Sequence, residues 1–149
     1  VSEMASAFAT FANNGVYREG RLYTKVYDRD GNVVYDNEQD SREILGEKAV
    51  TYTNYCLTNA VSSGTGGGAY FYGTQVAGKT GTAEDDPSGS DNAAYICFAP
   101  LEDPQIAIAI YVEKGGHGNA MAMAARYIIE DYLTVEEVSD VPSYENKMS

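Results

Sequence analysis

One lysine, Lys79, stands in two overlapping motifs that belong to different chemistries. The stretch GTQVAGKT, from Gly73 to Thr80, satisfies the pattern G-x-x-x-x-G-K-[ST] of a phosphate-binding loop. The same lysine opens Lys79-Thr80-Gly81, which spells the motif K-T-G. One lysine cannot serve both chemistries, so the local structure around it has to decide between them.

The residues around Lys79 favour a strand over a phosphate loop. In a phosphate loop, a buried strand ends before the first glycine and a helix begins at the Gly-Lys-Thr. Here a glycine-rich segment precedes the motif, and Asp85-Asp86-Pro87 follows it, which cannot continue a helix. We therefore predict a strand over 75–83. Its glycines, Gly78 and Gly81, indicate close approach by a ligand or by another backbone.

The elements that must position this strand follow from the hydrophobic pattern. We predict helices over 2–14, 46–62 and 118–133, a hairpin over 21–36, and strands over 75–83, 93–99 and 105–112, the last two antiparallel. The glycine-rich segment SSGTGGGA after the second helix is predicted to be a flexible connection. The buried faces are predicted to carry Val1, Met4, Ala5, Phe8, Phe11 and Ala12, then Ala49, Tyr52, Cys56 and Ala60, then Ala120, Met121, Ala124, Ala125, Ile128 and Tyr132.

Composition bounds the class of protein. The chain has 149 residues, enough for one compact domain, and 10 basic against 22 acidic residues give a formal net charge of −12. A nucleic-acid binder needs a basic patch, and the sequence has none. The two cysteines, Cys56 and Cys97, are predicted to be buried small apolar residues and not a disulfide or a metal site. No cofactor is expected.

Beyond the single motif, an ordered set of segments resembles the transpeptidase domain of penicillin-binding proteins. VAGKTGTAE looks like the third motif of that family, and ASAFATFANNGVY, AVSSGTGGGAYF and ICFAPLEDPQIAIAIYVEKGG occur in the order of the C-terminal part of the domain. The last of these segments resembles class B proteins more than class A. The resemblance covers 1–133, which is then the C-terminal portion of a transpeptidase domain, and 134–149 is predicted to be a flexible tail.

The resemblance implies an α+β fold in which an antiparallel sheet, with three of its strands in this chain, is flanked by helices. It also implies a function: cross-linking of peptidoglycan stem peptides through an acyl-serine intermediate, which penicillins trap. By similarity, Lys79 supplies positive charge, while Thr80 and Thr82 hydrogen-bond the substrate carboxylate. Gly81 keeps the strand clear for the ligand, and the Thr82 backbone N–H is an oxyanion donor. Because alternation places Lys79 on the face opposite both threonines, one site can use all three only on an edge strand.

The family's other two motifs do not occur in usable form. No serine is followed three places later by lysine, so the nucleophile is expected to lie before Val1. Ser90-Asp91-Asn92 spells S-D-N but follows the K-T-G, whereas the family places that motif before it. Tyr52-Thr53-Asn54 mimics a variant of the second motif but lies on a predicted helix. His117, the only histidine, is predicted to be an exposed loop residue near the rim of the cleft.

Other functions stay open at this point. Within the same superfamily the parent protein could be a D,D-carboxypeptidase or a penicillin sensor, and outside it a non-catalytic module that binds stem peptides. The resemblance implies stem peptides, β-lactams and the missing N-terminal half, or another chain, as partners. It also implies an extracytoplasmic location, with the membrane reached only through an anchor outside this chain. The isolated chain is expected to be inactive and to expose an unpaired edge on its third strand.

Overall fold

A computed structural model describes residues 1–83 and 91–137 and shows an α+β fold. The helices are α1 (Ser2–Ala12), α2 (Glu47–Ser62) and α3 (Gly118–Glu137), and Gly67–Ala69 form one short 3-10 turn. The strands are β1 (Val16–Arg18), β2 (Lys25–Tyr27), β3 (Val33–Asp36), β4 (Ser41–Glu43), β5 (Ala77–Ala83), β6 (Asn92–Ala99) and β7 (Ile106–Val112). All three predicted helices, the hairpin and the three predicted core strands are present. The final helix continues to Glu137, and the rest of the predicted tail lies outside the described residues.

The central sheet has the order β5-β6-β7, and both pairings are antiparallel. Its middle strand is rich in apolar residues because both of its faces are covered by helices, whereas β5 combines glycines and threonines. Within residues 1–83 and 91–137, β5 and β7 each pair only with β6. The K-T-G segment therefore lies on an edge strand of the described sheet, as the alternation argument requires.

The two faces of the central sheet carry separate cores. On one face, Tyr95 and Cys97 of β6 pack with residues of α2 and with Ala122, Ala125 and Ile129 of α3. On the other face, Phe98 packs with Ala77 and Leu57, next to partly buried side chains of α1. Tyr95, Phe98 and Ile129 are fully buried, and the apolar side chains Phe98 and Ile129 each contribute about 1.5–3 kcal/mol on burial. Helices on both faces thus hold the strand that supports β5.

Two small sheets lie outside the central one. Strands β2 and β3 form the predicted hairpin, in which Asp28 accepts hydrogen bonds from the backbone of Asp30 and Asn32 across the turn. The Asn32 side chain also donates a hydrogen bond to Asp28. This bond first, and then the backbone bonds, lower the pKa of the Asp28 carboxyl below its usual value. Strands β1 and β4 also pair, although the sequence analysis did not predict them. They are three residues long and mostly exposed, so they carry little hydrophobic alternation.

The predicted helix faces are partly wrong, because the buried stripe lies at a different angle. In α2 the buried residues are Val50, Leu57 and Val61, while Tyr52 and Cys56 are exposed. In α3 the buried residues are Ala122, Ala125 and Ile129, so only Ala125 of the predicted set is fully buried. In α1, Phe8 and Phe11 do pack on the sheet, but Val1 and Met4 are exposed and Thr10 is buried. Both α2 and α3 have apolar residues around much of their circumference, which blurs the 3.6-residue period.

The two free cysteines differ in their exposure to solvent. Cys97 is buried in β6, as predicted, and burial raises the pKa of its thiol to about 12. Cys56 lies on the exposed side of α2, so the prediction that it is buried is wrong. Because the thiolate is the reactive form, we expect a thiol reagent near pH 8 to modify one cysteine per folded chain and two after denaturation. Mass spectrometry after cleavage should place the native modification on Cys56; modification of Cys97 in folded protein would contradict the buried position.

A glycine is required at position 78 because β5 crosses the core there. A Cβ on Gly78 would collide with the Tyr95 hydroxyl and would lie 2.8 Å from the Cβ of Cys97. The Tyr95 side chain is fully buried and cannot move into solvent. We expect Gly78→Ala to lower the free energy of unfolding by about 1–3 kcal/mol, the usual cost of overpacking a core. Urea unfolding of the purified protein measures this cost.

Gly46→Ala is the matched control for that substitution. Gly46 precedes α2 with an ordinary φ of −77°, and a Cβ there would meet nothing within 4 Å. Gly46 is the N-cap of α2, where alanine is less favourable than glycine, but alanine also loses less conformational entropy on folding. Because these two effects oppose each other, we expect the free energy of unfolding to stay within about 1 kcal/mol of the unsubstituted protein. Equal stability of both variants would show that β5 does not approach Tyr95 as described.

Candidate active site

A cleft of about 410 Å³ opens beside the edge strand. Thr80 and Thr82 line it from β5, the glycine-rich turn 64–68 lines it from the end of α2, and 117–119 line it from the start of α3. Three segments that are far apart in sequence therefore meet at the face of β5 that carries the two threonines. The side chains on this face are small and neutral, so a ligand can approach the backbone of β5.

Lys79 lies on the opposite face of β5, as strand alternation predicts. Its side chain is exposed, and its ammonium group donates a hydrogen bond to the backbone carbonyl of Thr80. The Lys79 side chain therefore folds back onto the backbone of its own strand, β5. On an edge strand, the charge and both hydroxyls can act on one ligand, because the ligand can bind along the unpaired side of the strand.

The local structure excludes a phosphate-binding loop at this lysine. Gly78, Lys79 and Thr80 lie within β5, paired with Cys97, Ile96 and Tyr95 of β6. A phosphate loop needs a helix N-terminus at these residues, whose free N–H groups would bind the phosphates. The match to G-x-x-x-x-G-K-[ST] is accidental, as the sequence analysis concluded.

Glycines allow the three segments to pack this closely. A Cβ on Gly118 would lie 2.7 Å from the carbonyl oxygens of both Gly81 and Ala94. A Cβ on Gly68 would lie 2.7 Å from the carbonyl oxygen of Asn119. Contacts between Cβ and oxygen at this distance do not occur without a shift of the backbone. The start of α3 therefore rests directly on the backbone of β5 and β6, and the glycine-rich turn rests on α3.

Two hydrogen bonds connect the same segments. The hydroxyls of Thr65 and Thr80 lie 2.8 Å apart, and the backbone N–H of Gly68 donates to the side-chain oxygen of Asn119 over 3.0 Å. The prediction that 62–69 is a flexible connection does not match these contacts. Glycine-rich composition indicates flexibility when a segment has no tertiary partners, whereas here α3 supplies one.

His117 is brought to the same cleft as Thr80 and Thr82. The predicted position, an exposed loop near the rim, is confirmed, since the residue lies just before α3 and is exposed. No sequence signal placed Thr65 against Thr80 of the K-T-G segment. The connection depends on how α3 and the glycine-rich turn pack on β5, which the hydrophobic pattern does not specify.

The two sequence patterns that imitate the family's second motif have other structural roles. Asn92 begins β6, and its side-chain oxygen accepts a hydrogen bond from the backbone N–H of Lys114 over 2.9 Å. Ser90 lies outside the described residues. Asn54 lies on α2, as predicted, and its side-chain N–H donates to the carbonyl of Phe11 over 3.4 Å. The side chains of Asn92 and Asn54 therefore make contacts within the fold and do not line the cleft.

The remaining site chemistry is limited in the described part of the chain. Residues 1–83 and 91–137 contain no group of three or more His, Cys, Asp or Glu placed to hold a metal ion. In the same ranges, no helix combines the length and the apolar character that a bilayer crossing needs. The cleft thus offers threonine hydroxyls, one side-chain amide and one imidazole, while the Lys79 ammonium lies on the other face of β5.

Sequence comparisons with known proteins point to one family. Residues 1–132 match the family model described as the penicillin binding protein transpeptidase domain. The chain is 45% identical over 83 residues to penicillin-binding protein 1A of Clostridium botulinum, which covers 55% of this chain and 10% of that protein. The chain therefore spans only a small part of the length of this relative.

Solved structures of penicillin-binding proteins and of a D,D-transpeptidase domain superimpose on this chain. The D,D-transpeptidase domain of a peptidoglycan glycosyltransferase from Eggerthella lenta superimposes with a TM-score of 0.81 at 28% identity, covering 91% of this chain and 32% of that one. An imipenem acyl-enzyme complex of penicillin-binding protein A from Mycobacterium tuberculosis superimposes with a TM-score of 0.75, also at 28% identity, covering 87% and 29%. The α+β fold inferred from the sequence is confirmed.

The bond between Asn119 and Gly68 can be tested directly. Removing the acceptor with Asn119→Ala should speed hydrogen exchange of the Gly68 amide about tenfold, since one hydrogen bond contributes about 0.5–1.5 kcal/mol. Asn119→Asp keeps an oxygen in the same place and should leave the exchange rate within about twofold. Exchange measured by NMR reports on this amide alone; an unchanged rate in Asn119→Ala would show that α3 does not hold the turn.

Proposed function

The chain belongs to the penicillin-binding protein transpeptidase family, and on that premise we propose that it forms part of a serine-type peptidoglycan D,D-transpeptidase. The protein would cross-link cell-wall stem peptides through an acyl-serine intermediate. The observation that carries the proposal is Lys79-Thr80-Gly81-Thr82 on an edge strand of the described sheet, beside an open cleft. The same position would admit a peptide that ends in a carboxylate.

The proposed reaction has two steps. A serine hydroxyl attacks the carbonyl of the penultimate D-alanine of one stem, the peptide bond breaks, and the terminal D-alanine leaves with a proton. The amine of a neighbouring stem then attacks the resulting ester and releases the serine. Neither the serine nor its activating lysine is among these 149 residues in the spacing S-x-x-K, so both would come from elsewhere in the parent protein. For the same reason, the isolated chain would be inactive.

Lys79 would supply the positive charge of the site. Its ammonium group lies at the edge of β5 and is exposed, so it is free to face an anionic ligand or a proton-transfer network. In a site closed by the rest of the domain, water would be reduced and the attraction between this ammonium and a carboxylate would strengthen. Lysine suits this role because it is a compact charge with three donors.

Thr80, Gly81 and Thr82 would bind the substrate. Both hydroxyls face the cleft on one side of β5, where they can donate to a terminal carboxylate. On an edge strand, every second residue turns its backbone N–H and C=O away from the neighbouring strand. Thr80 and Thr82 are two residues apart, so their backbone groups point to the same side. The Thr82 N–H would then stabilise the oxyanion, and Gly81, without a side chain, would leave room for the ligand.

The proposal implies partners and a location. β-Lactams imitate the donor stem and would be trapped as an acyl-enzyme, the state that the Mycobacterium tuberculosis structure contains. Its stem-peptide substrate would place the parent protein outside the cytoplasm, held at the membrane by a segment outside these residues. We further propose that the parent protein is of class B and that it catalyses transpeptidation and not carboxypeptidation.

Removal of the Lys79 charge tests the proposal. In a parent protein that carries the whole domain, we expect Lys79→Ala to reduce labelling by a fluorescent penicillin by about 10²–10⁴-fold, the usual contribution of a proton-transfer group. The measurement is the second-order rate constant of acylation, followed by gel fluorescence. The folded state of the variant is checked by its thermal unfolding temperature.

Lys48→Ala is the matched control. Lys48 is an exposed lysine in the first turn of α2 and does not line the cleft, so its removal should leave the rate of labelling unchanged. Labelling of Lys79→Ala at the unsubstituted rate would refute the proposed role of Lys79. Absence of labelling in the unsubstituted parent protein would refute acyl-enzyme formation with penicillin.

A further inference from the structure

A second threonine touches the proposed carboxylate-binding threonine from outside the K-T-G segment. Thr65 lies in the turn that follows α2, fifteen positions before Thr80, and the two side-chain oxygens are 2.8 Å apart. Both residues line the cleft. Thr65 lies in the segment AVSSGTGGGAYF, to which the resemblance assigned no role in the site, so its role is inferred from this contact.

The turn that carries Thr65 is held on both sides. The backbone N–H of Gly66 donates to the carbonyl of Ala60 at the end of α2 over 2.9 Å, and the N–H of Gly68 donates to Asn119 over 3.0 Å. Ala69, four residues after Thr65, is fully buried in the core. Because α2, α3 and the core fix the backbone on either side of Thr65, its hydroxyl is presented to Thr80 from a fixed position.

The number of protons decides the direction of the hydrogen bond. A threonine hydroxyl has one proton to donate and two lone pairs that accept. If Thr80 donates its proton to a carboxylate, its oxygen can only accept from Thr65. We propose that Thr65 is a positioning residue that donates to Thr80 and thereby directs the Thr80 proton into the cleft. This inference rests on the proposed function, since it assumes a carboxylate ligand at Thr80.

Two substitutions of Thr65 test the donor role in the parent protein. Thr65→Val keeps the shape and removes the hydroxyl, so it should lower the rate constant of acylation by a fluorescent penicillin about threefold to tenfold. Thr65→Ser restores a hydroxyl and should return the rate to within about twofold. The matched control is Thr51→Val, which removes a hydroxyl that bonds only to the Glu47 carbonyl within α2.

Two further measurements separate positioning from a structural effect. In a Thr80→Val background, Thr65→Val should cause no additional loss of rate, because its effect passes through the Thr80 hydroxyl. With a penicillin whose carboxylate is blocked as a methyl ester, Thr65→Val and the unsubstituted protein should be acylated at equal rates. A structural defect would instead slow both penicillins and lower the thermal unfolding temperature.

The outcomes distinguish this inference from the proposed function. If the unsubstituted protein is labelled and Thr65→Val is labelled at the same rate, the positioning role is overturned while the proposed function stands. The role is also overturned if Thr65→Val slows acylation by the methyl ester as much as acylation by the free acid. It is overturned as well if the loss of rate caused by Thr65→Val adds fully to the loss caused by Thr80→Val. If the unsubstituted protein is not labelled at all, the proposed function is overturned, and this inference with it.

Discussion

The pairing of β5 on one side only is the constraint on which the site depends. Hydrogen bonds to β6 hold the register from Ala77 opposite Phe98 to Ala83 opposite Asn92, while residues 1–83 and 91–137 provide no strand for the other side of β5. A strand paired on both sides would have no backbone groups left for a ligand, and its alternate side chains would face different layers. An edge strand can combine a lysine from one face with threonines from the other. The apolar middle strand, covered by helices on both faces, makes this edge rigid enough to serve as a wall of a cleft.

Packing of helices against that wall is direct, through backbone contacts at glycines. Gly118 allows α3 to begin against the carbonyls of β5 and β6, and Gly68 allows the preceding turn to lie against α3. Close approach without side chains leaves little room for adjustment, so the positions of the surrounding hydroxyls follow from the backbone. The cleft is thus defined by three short segments that are each attached to a different element of the core.

The sequence predicted the parts of this arrangement that rest on local pattern. Helices with apolar stripes and strands with apolar runs were recognisable. The glycines of β5 indicated close approach by a ligand or another backbone, whereas the neighbours that a Cβ on Gly78 would meet are the side chains of Tyr95 and Cys97. The predicted phase of α2 is wrong because its apolar tyrosine and cysteine face solvent, whereas Val50, Leu57 and Val61 form the buried stripe. Strands β1 and β4 were missed because their pairing joins distant, exposed residues. The loop before α3 allowed His117 to be placed near the rim of the cleft, whereas Thr65 reaches Thr80 through tertiary packing, about which a single sequence says nothing.

The backbone contacts at Gly68 and Gly118 also constrain how this cleft can diverge between related proteins. A residue larger than glycine at position 118 would push α3 away from the sheet, and one at position 68 would push the glycine-rich turn away from α3, so these two sites offer almost no neutral substitutions. Changes in ligand preference would then have to occur at the few side chains that line the cleft and do not support a helix, such as His117. Diversity in ligand preference should accumulate at that position while the glycines beside it stay fixed.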